Sequence, residues 1–259
     1  MCGVDKLCEA EINKYLERKI PLVILGQTGS TNDVAKKLAR DRRIETAILA
    51  ERQVAGRGRG EKRFFSPETG LYMSLVVKPR KDLAQTVRLT AIAAVAAACA
   101  IESASGFPAG IKWVNDIFMH QKKVAGILCE CVNDSWGRPE FAVIGIGMNI
   151  IPPPGGFPRE IKDGAGAVFK GAVSGNIKNQ MAALVMNHFY RAQNKSDAEI
   201  LEEYRRRSLV IGQEIQILHG EKSEKAVALS VEDDFRLLVM TESGQIKKLS
   251  SGEVSCKLL

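Results

Sequence analysis

The chain has no Cys-x-x-Cys pair, only three histidines and few aromatic residues, and each shortage argues against a class of function. Its cysteines, Cys2, Cys8, Cys99, Cys129, Cys131 and Cys256, lack metal-ligand spacing, and Cys129 and Cys131 stand two apart, as residues on one face of a strand do. They read as structural thiols rather than ligands. His120, His188 and His219 occur singly, outside any Ser-His-Asp or Cys-His pattern, so nucleophilic catalysis by a side chain is disfavoured. The longest low-polarity stretch, Leu89 to Ile101, is rich in alanine and falls short of the ~18–20 residues of a membrane span, so it reads as a buried helix. The first residues carry Asp5, Lys6, Glu9, Glu11, Lys14, Glu17, Arg18 and Lys19 without an apolar core. A secretory signal is therefore not expected, and the cytoplasm is the expected compartment.

What is present fits a large domain followed by a small one: 259 residues, 45% of them hydrophobic. A formal net charge of +7 favours anionic partners without naming them. Two basic clusters, Arg40, Arg42 and Arg43, and Arg205 to Arg207, read as solvated helix ends. Along the chain the pattern predicts a helix over 9–19, a strand over 21–25, and a helix through Val34, Leu38 and Ala39 that Ser30 to Asp33 are suited to cap. Strands follow over 46–50 and 70–77, then an alanine-rich helix over 83–104 and strands over 111–113, 118–120, 124–132 and 141–150. Pro152 to Gly156 mark a loop, and helices are expected over 177–192 and 198–207. From Leu209 the texture changes to short strand-like runs, which predicts a small β-barrel over 209–259 after a main domain over 1–208.

Four segments carry chemistry. Gly56-Arg57-Gly58-Arg59-Gly60, followed by Lys62 and Arg63, joins glycines that free backbone N–H groups to side chains that neutralise charge, and it lies between two core strands rather than in a tail. Gly26 to Asn32 lacks the Gly-Lys-Ser/Thr ending of a P-loop and leaves a row of short polar groups that suit a ligand head or a helix cap. Lys112-Trp113-Val114-Asn115-Asp116 ends a strand, and Lys123 follows with Gly126 clearing bulk beside it; an ordinary charged hairpin has the same spacing. Gly145-Ile146-Gly147-Met148-Asn149 brings two glycines and an amide to a strand end, which suits the edge of an adenine base or a plain strand bulge.

Taken in order, Ser30-Thr31-Asn32, Gln53 with Gly56 to Arg59, Phe65-Ser66-Pro67, Lys112-Trp113-x-Asn115-Asp116, Lys123 with Ala125-Gly126, and Gly145-x-Gly147-x-Asn149 resemble the catalytic unit of the biotin protein ligases. The resemblance covers residues 20 to 150 strongly and the tail weakly. It implies an α+β fold, with a mixed sheet flanked by helices as in class II aminoacyl-tRNA synthetases and an SH3-like barrel at the C-terminus. It implies biotin contacts from Ser30, Thr31, Asn32, Gln53, Gly56, Arg57, Lys123 and Gly126. ATP or adenylate contacts are implied for Arg59, Lys62, Arg63, Phe64, Lys112, Asn115, Asp116, Gly147 and Asn149, with Asp116 also next to Mg²⁺. Arg57, Arg59, Lys123 and Asp116 are the implied catalytic set.

The implied reaction forms biotinyl-5′-AMP from biotin and ATP and passes biotin to a lysine of the carrier domain of a biotin-dependent carboxylase; a homodimer is a further family expectation. The chain departs from the family pattern at Val114, where proline is usual, and at Lys62 and Phe64, where arginine and tryptophan are common. Some bacterial members begin with a helix-turn-helix repressor domain; barely twenty residues precede the first strand here, so DNA binding is not expected. The segment from Ala55 to Phe65 is expected to be mobile without ligand. Lipoate ligases share this chemistry but carry different motifs. RNA binding would suit the basic loop, but only 6% of the chain is aromatic, few residues for stacking bases.

Overall fold

Alternation along the strands decides what each face of the main sheet covers. The computed structural model describes residues 5–42, 44–60, 62–78, 85–171, 173, 175–219, 222–250 and 255–258. The elements run α1 (Glu9–Asn13), β1 (Leu22–Thr28), α2 (Thr31–Arg42), β2 (Thr46–Gln53), β3 (Gly70–Val77), α3 (Gln85–Ser105), β4 (Gly110–Lys112), β5 (Asp116–Met119), β6 (Lys122–Asn133), β7 (Pro139–Asn149), α4 (Ile177–Gln193) and α5 (Asp197–Arg206). Five further strands complete the chain: β8 (Glu214–His219), β9 (Lys222–Val231), β10 (Leu237–Thr241), β11 (Ile246–Leu249) and β12 (Ser255–Leu258).

The first seven strands form one mixed sheet in the order β1-β2-β3-β7-β6-β5-β4, parallel between β1 and β2 and antiparallel elsewhere. The last five form a separate antiparallel sheet, β11-β10-β9-β8-β12, where the small β unit was expected. On one face of the main sheet, Leu71, Met73, Leu75 and Val77 of β3 and Ala142, Ile144, Ile146 and Met148 of β7 join the large core with α3 and α4. On the other face, Ile48, Val76, Phe141 and Val143 pack under Ala35 and Ala39 of α2. Toward the first turn of α2 that face changes character: Val143 is followed at the same pleat by Gly145 and Gly147, and Val76 is preceded by Ser74 and Tyr72. The sheet is thus apolar under the body of α2 and glycine-paved where the first turn of α2 and the Phe64 ring come down on it.

The alanine-rich helix α3 is buried nearly all round, Ala91, Ala93, Ala94 and Ala96 to Ala98 being fully covered. Over Thr86–Ser105 it is long and apolar enough to cross a membrane, and here that apolarity serves the core between sheet and α4. Leu83, where this helix was expected to start, and Arg43, Cys2 and residues 220, 221, 251–254 and 259 of the expected barrel lie outside the described residues.

Three local expectations are corrected. α1 stops at Asn13 rather than Lys19, because the Asn187 side chain of α4 donates to the Tyr15 carbonyl (2.8 Å) and accepts from the Glu17 N–H (3.0 Å), groups a longer helix would need for itself. His120, expected in a strand, forms with Gln121 a two-residue hairpin turn with φ of 47° and 61°, the left-handed conformation such turns require. Arg207 is not a solvated helix end: it is buried and bonds Glu102 (2.8 Å) and Glu203, fastening α5 to α3.

Candidate active site

The site lies on the glycine-paved end of the sheet. Gly126 of β6 and Gly147 of β7 are cross-strand partners, and the Phe64 ring lies on both: a Cβ built on Gly147 would meet it at 2.7 Å and one on Gly126 at 3.4 Å. A Cβ on Gly145 would come within 2.1 Å of Asn32 Oδ1. Bare glycine lets the start of α2 and the loop after β2 descend onto the strands. The cavity between them has a volume of about 710 Å³.

Of the residues singled out in the sequence, Ser30, Thr31, Asn32, Gln53, Arg57, Arg59, Lys62, Arg63, Phe64, Lys112, Asn115, Asp116, Lys123, Gly126, Gly147 and Asn149 all line this cavity. Gly56 does not. Its bareness serves the loop instead, since a Cβ there would meet the Phe64 carbonyl at 2.4 Å and Ser66 Oγ at 2.5 Å.

The polar row at the start of α2 is braced from below. Gln53 Oε1 accepts from the Thr31 N–H (2.8 Å) and Thr31 Oγ1 (3.1 Å), and its Nε2 donates to Ser66 Oγ (3.1 Å). The buried Ser74 hydroxyl lies 2.7 Å from both Thr31 Oγ1 and Asn32 Oδ1. Asn32 Nδ2 donates to Glu130 (2.8 Å) and the Leu128 carbonyl (3.3 Å), so this amide is held entirely by protein partners.

The loop between Gln53 and Ser66 is a small hairpin, with Gly58 N–H bonded to the Lys62 carbonyl (2.7 Å) and Phe64 N–H to the Gly56 carbonyl (2.9 Å). Arg57 pairs with Asp33 (2.9 Å) and Glu130 (3.1 Å), and Lys36 with the same two carboxylates. Burial pulls the Asp33 carboxyl upward, but Lys36 and Arg57 outweigh it and hold it below the ordinary carboxylate range. Arg59 Nη1 donates to Asn115 Oδ1 (3.3 Å), whose Nδ2 donates to the Ile127 carbonyl (2.8 Å). Lys123 and Asp116 form an ion pair of 2.6 Å, and the Lys112 ammonium stands 5.9 Å over the Phe118 ring.

Several wall residues carried no sequence signal. The Lys123 backbone bonds Gly164 and Gly166 (2.8 and 2.9 Å), and Asn149 Nδ2 donates to the Gly166 carbonyl (2.8 Å). This brings Glu160, Ile161, Gly164 and Ala165 to the cavity. Leu218 of the second sheet also lines the cavity, with no local signal at all.

The lining sets Arg57, Arg59, Lys62, Arg63, Lys112 and Lys123 against Asp116 and Glu160, an excess of cations suited to bringing two anions together. Among the described residues no three His, Cys, Asp or Glu side chains converge as a metal cage. A single carboxylate suffices for a magnesium ion that arrives on a triphosphate, and Asp116 meets that requirement. Burial pushes the Cys129 thiol well above its usual range, which disfavours its thiolate.

The model of the biotin/lipoate A/B protein ligase family matches residues 24–149. The bifunctional ligase/repressor BirA of Bacillus subtilis is 33% identical, the match covering 96% of this chain and 79% of the relative. The biotin–[acetyl-CoA-carboxylase] ligase of Mycobacterium tuberculosis is 28% identical over 90% of this chain and 88% of its own. Among solved structures, biotin protein ligase from Aquifex aeolicus in complex with biotin and ATP superposes with a TM-score of 0.75 at 27% identity, covering 92% of this chain and 99% of that one.

Proposed function

We infer that this chain, which belongs to the biotin/lipoate A/B protein ligase family and is a biotin ligase using biotin and ATP, has as its acceptor a lysine on the carrier domain of a biotin-dependent carboxylase. The observation that carries the site assignment is the convergence of six cationic side chains on one cavity floored by Gly126 and Gly147. A carboxylate and a triphosphate repel each other, and fixed cations lower the cost of bringing them in line.

In this reading the polar row of Ser30, Thr31 and Gln53, with Arg57, receives the biotin end, while Asn32 braces that wall. Lys123 stands at the junction where the carboxylate meets the α-phosphate. The carboxylate oxygen attacks the α-phosphorus, the bond to the β-phosphate oxygen breaks, and pyrophosphate leaves. Arg59, Lys62, Arg63 and Lys112 offset the charge that develops, and Phe64, Asn115, Gly147 and Asn149 bound the adenylate. Magnesium carried by the triphosphate supplies charge neutralisation, with Asp116 placed to share it. The neutral ε-amine of the acceptor lysine then attacks the acyl carbon, AMP departs with the bonding electrons, and the amine loses its proton to give the amide. Neither displacement needs a covalent enzyme nucleophile. We further assign residues 1–208 to the catalytic unit and 209–259 to the barrel, with ligation alone as the activity proposed.

Pyrophosphate release from Mg-ATP, measured with and without biotin and with lipoate or octanoate in its place, tests the reaction. Release that depends on biotin alone and falls by about 10²–10³-fold in Arg59→Ala supports the assignment. Equal release by Arg59→Ala removes that arginine from the adenylating machinery.

A further inference from the structure

Behind the cavity lies a buried charge that the proposed reaction does not use. Lys178, in the first turn of α4, is 2% exposed. Its ammonium bonds the Glu51 carboxylate and donates to the Glu68 carbonyl at 3.2 Å. Glu51 sits on β2 two residues before Gln53, and Glu68 comes two residues after Ser66, so these partners are the two feet of the basic loop.

The far foot is fixed at three successive carbonyls. That of Ser66 accepts the Gln53 N–H (3.1 Å), that of Pro67 the Tyr72 hydroxyl (2.7 Å), and that of Glu68 the Lys178 ammonium. The near foot is fixed through Glu51, whose other oxygen accepts the Leu7 N–H at 2.5 Å. The N-terminal segment closes the cluster: Asp5 accepts the Lys178 N–H (2.7 Å) and thereby caps α4, whose own Asn176 makes no capping bond with its side chain. Asn179, fully buried, donates to the Lys6 carbonyl (2.8 Å) and accepts the Cys8 N–H (2.8 Å).

Stability alone does not call for such a group, because a buried ion pair is often replaced by well-packed apolar residues at little or no cost. An ammonium, unlike any apolar side chain, offers directional donors to both feet of the loop at once. We propose that Lys178 is a positioning residue for the ligase reaction, its ammonium joining both feet of the loop between Gln53 and Ser66 so that Arg57, Arg59 and the Gln53 amide keep their register over the glycine floor. The inference rests on the ligase reading and assigns Lys178 no contact with substrate.

The test is Lys178→Met in the full chain, with biotin-dependent pyrophosphate release and amide hydrogen exchange of residues 57–60 and 62–64 measured alongside Tm. The expected result is a fall in kcat/KM for biotin of about 10- to 100-fold per folded molecule, with faster exchange of the loop amides while those of β3 and β7 stay protected. Lys178→Arg, which keeps a buried donor, recovers part of the loss. A lowered Tm with unchanged kcat/KM and unchanged loop exchange overturns the proposal. If Lys178→Met does not fold, Glu51→Gln decides by the same two readouts: faster loop exchange with lower kcat/KM supports the clamp, and wild-type values for both reject it. Silence of the unsubstituted protein toward biotin would count against the ligase reading, while loop exchange would still judge the clamp.

Discussion

The Trp113 indole N–H donates to the Phe235 carbonyl across 3.1 Å in a buried contact, tying the lysine-tryptophan segment of the cavity wall to the β9–β10 turn of the second sheet. The same segment is held along its outer side by the end of α5 and the residues just after it. Ile111 bonds Arg207 (2.7 Å) and Leu209 (2.9 Å) through its backbone, and the Tyr204 hydroxyl donates to the Val114 carbonyl (3.0 Å). Phe235 has a φ of 62°, so the turn places its carbonyl by a backbone conformation that residues other than glycine seldom adopt.

Trp113→Phe keeps most of the buried ring and removes the donor. The stranded Phe235 carbonyl is expected to lower unfolding free energy by about 1–3 kcal/mol. Because Lys112 and Asp116 flank the indole, KM for ATP is expected to rise more than KM for biotin. Denaturant unfolding with initial-rate kinetics checks both, and a variant with unchanged stability would show that the bond contributes nothing net.

Gly145→Ala would place a methyl group 2.1 Å from Asn32 Oδ1, the oxygen that accepts from the Ser74 hydroxyl. Overpacking of this kind costs about 1–3 kcal/mol, and Asn32 is expected to lose its bonds to Ser74 and Glu130. The measurement is biotin affinity by calorimetry together with Tm; wild-type values for both would mean that α2 shifts freely, contrary to this close packing.

Stability on the acid side is expected to depend on Glu203. The hydrogen bond from Arg206, then that from Arg207, holds its carboxyl below the ordinary value of 4.5. A carboxylate depressed in the folded state contributes stability that is complete above the unfolded value and is lost as the pH falls through the folded one. Glu203→Gln should therefore narrow its stability gap to wild type as the pH is lowered below about 4.5. A gap that is constant with pH would show that the carboxyl is not depressed.

Much of the fold was legible because its signals are local. The apolar runs of β2, β3, β6 and β7 and the small-residue surface of α3 each carry their own periodicity. Errors fell where a distant side chain intervened, as Asn187 does at the end of α1 and Glu102 at Arg207, and where a tight turn took over a strand end, at His120. The cavity lining was legible to the same extent. Residues in short ordered motifs could be named in advance, whereas Glu160, Ile161 and Leu218 reach the wall through tertiary pairing that leaves no mark in their own neighbourhoods.

Covalent order alone set the chemistry: which cations, glycines and amides exist, and how they alternate with strands and helices, since these depend only on neighbours along the chain. How those groups are used was settled by folding. Arg57 turns to Asp33 and Glu130, Lys123 meets Asp116, and Gly56 serves the loop instead of the cavity. Lys178, unremarkable in the chain, becomes the buried link between β2 and the turn that precedes β3. A hydrogen bond or ion pair is set by distance in space, and residues 51, 68 and 178 become neighbours only once the sheet and α4 have packed.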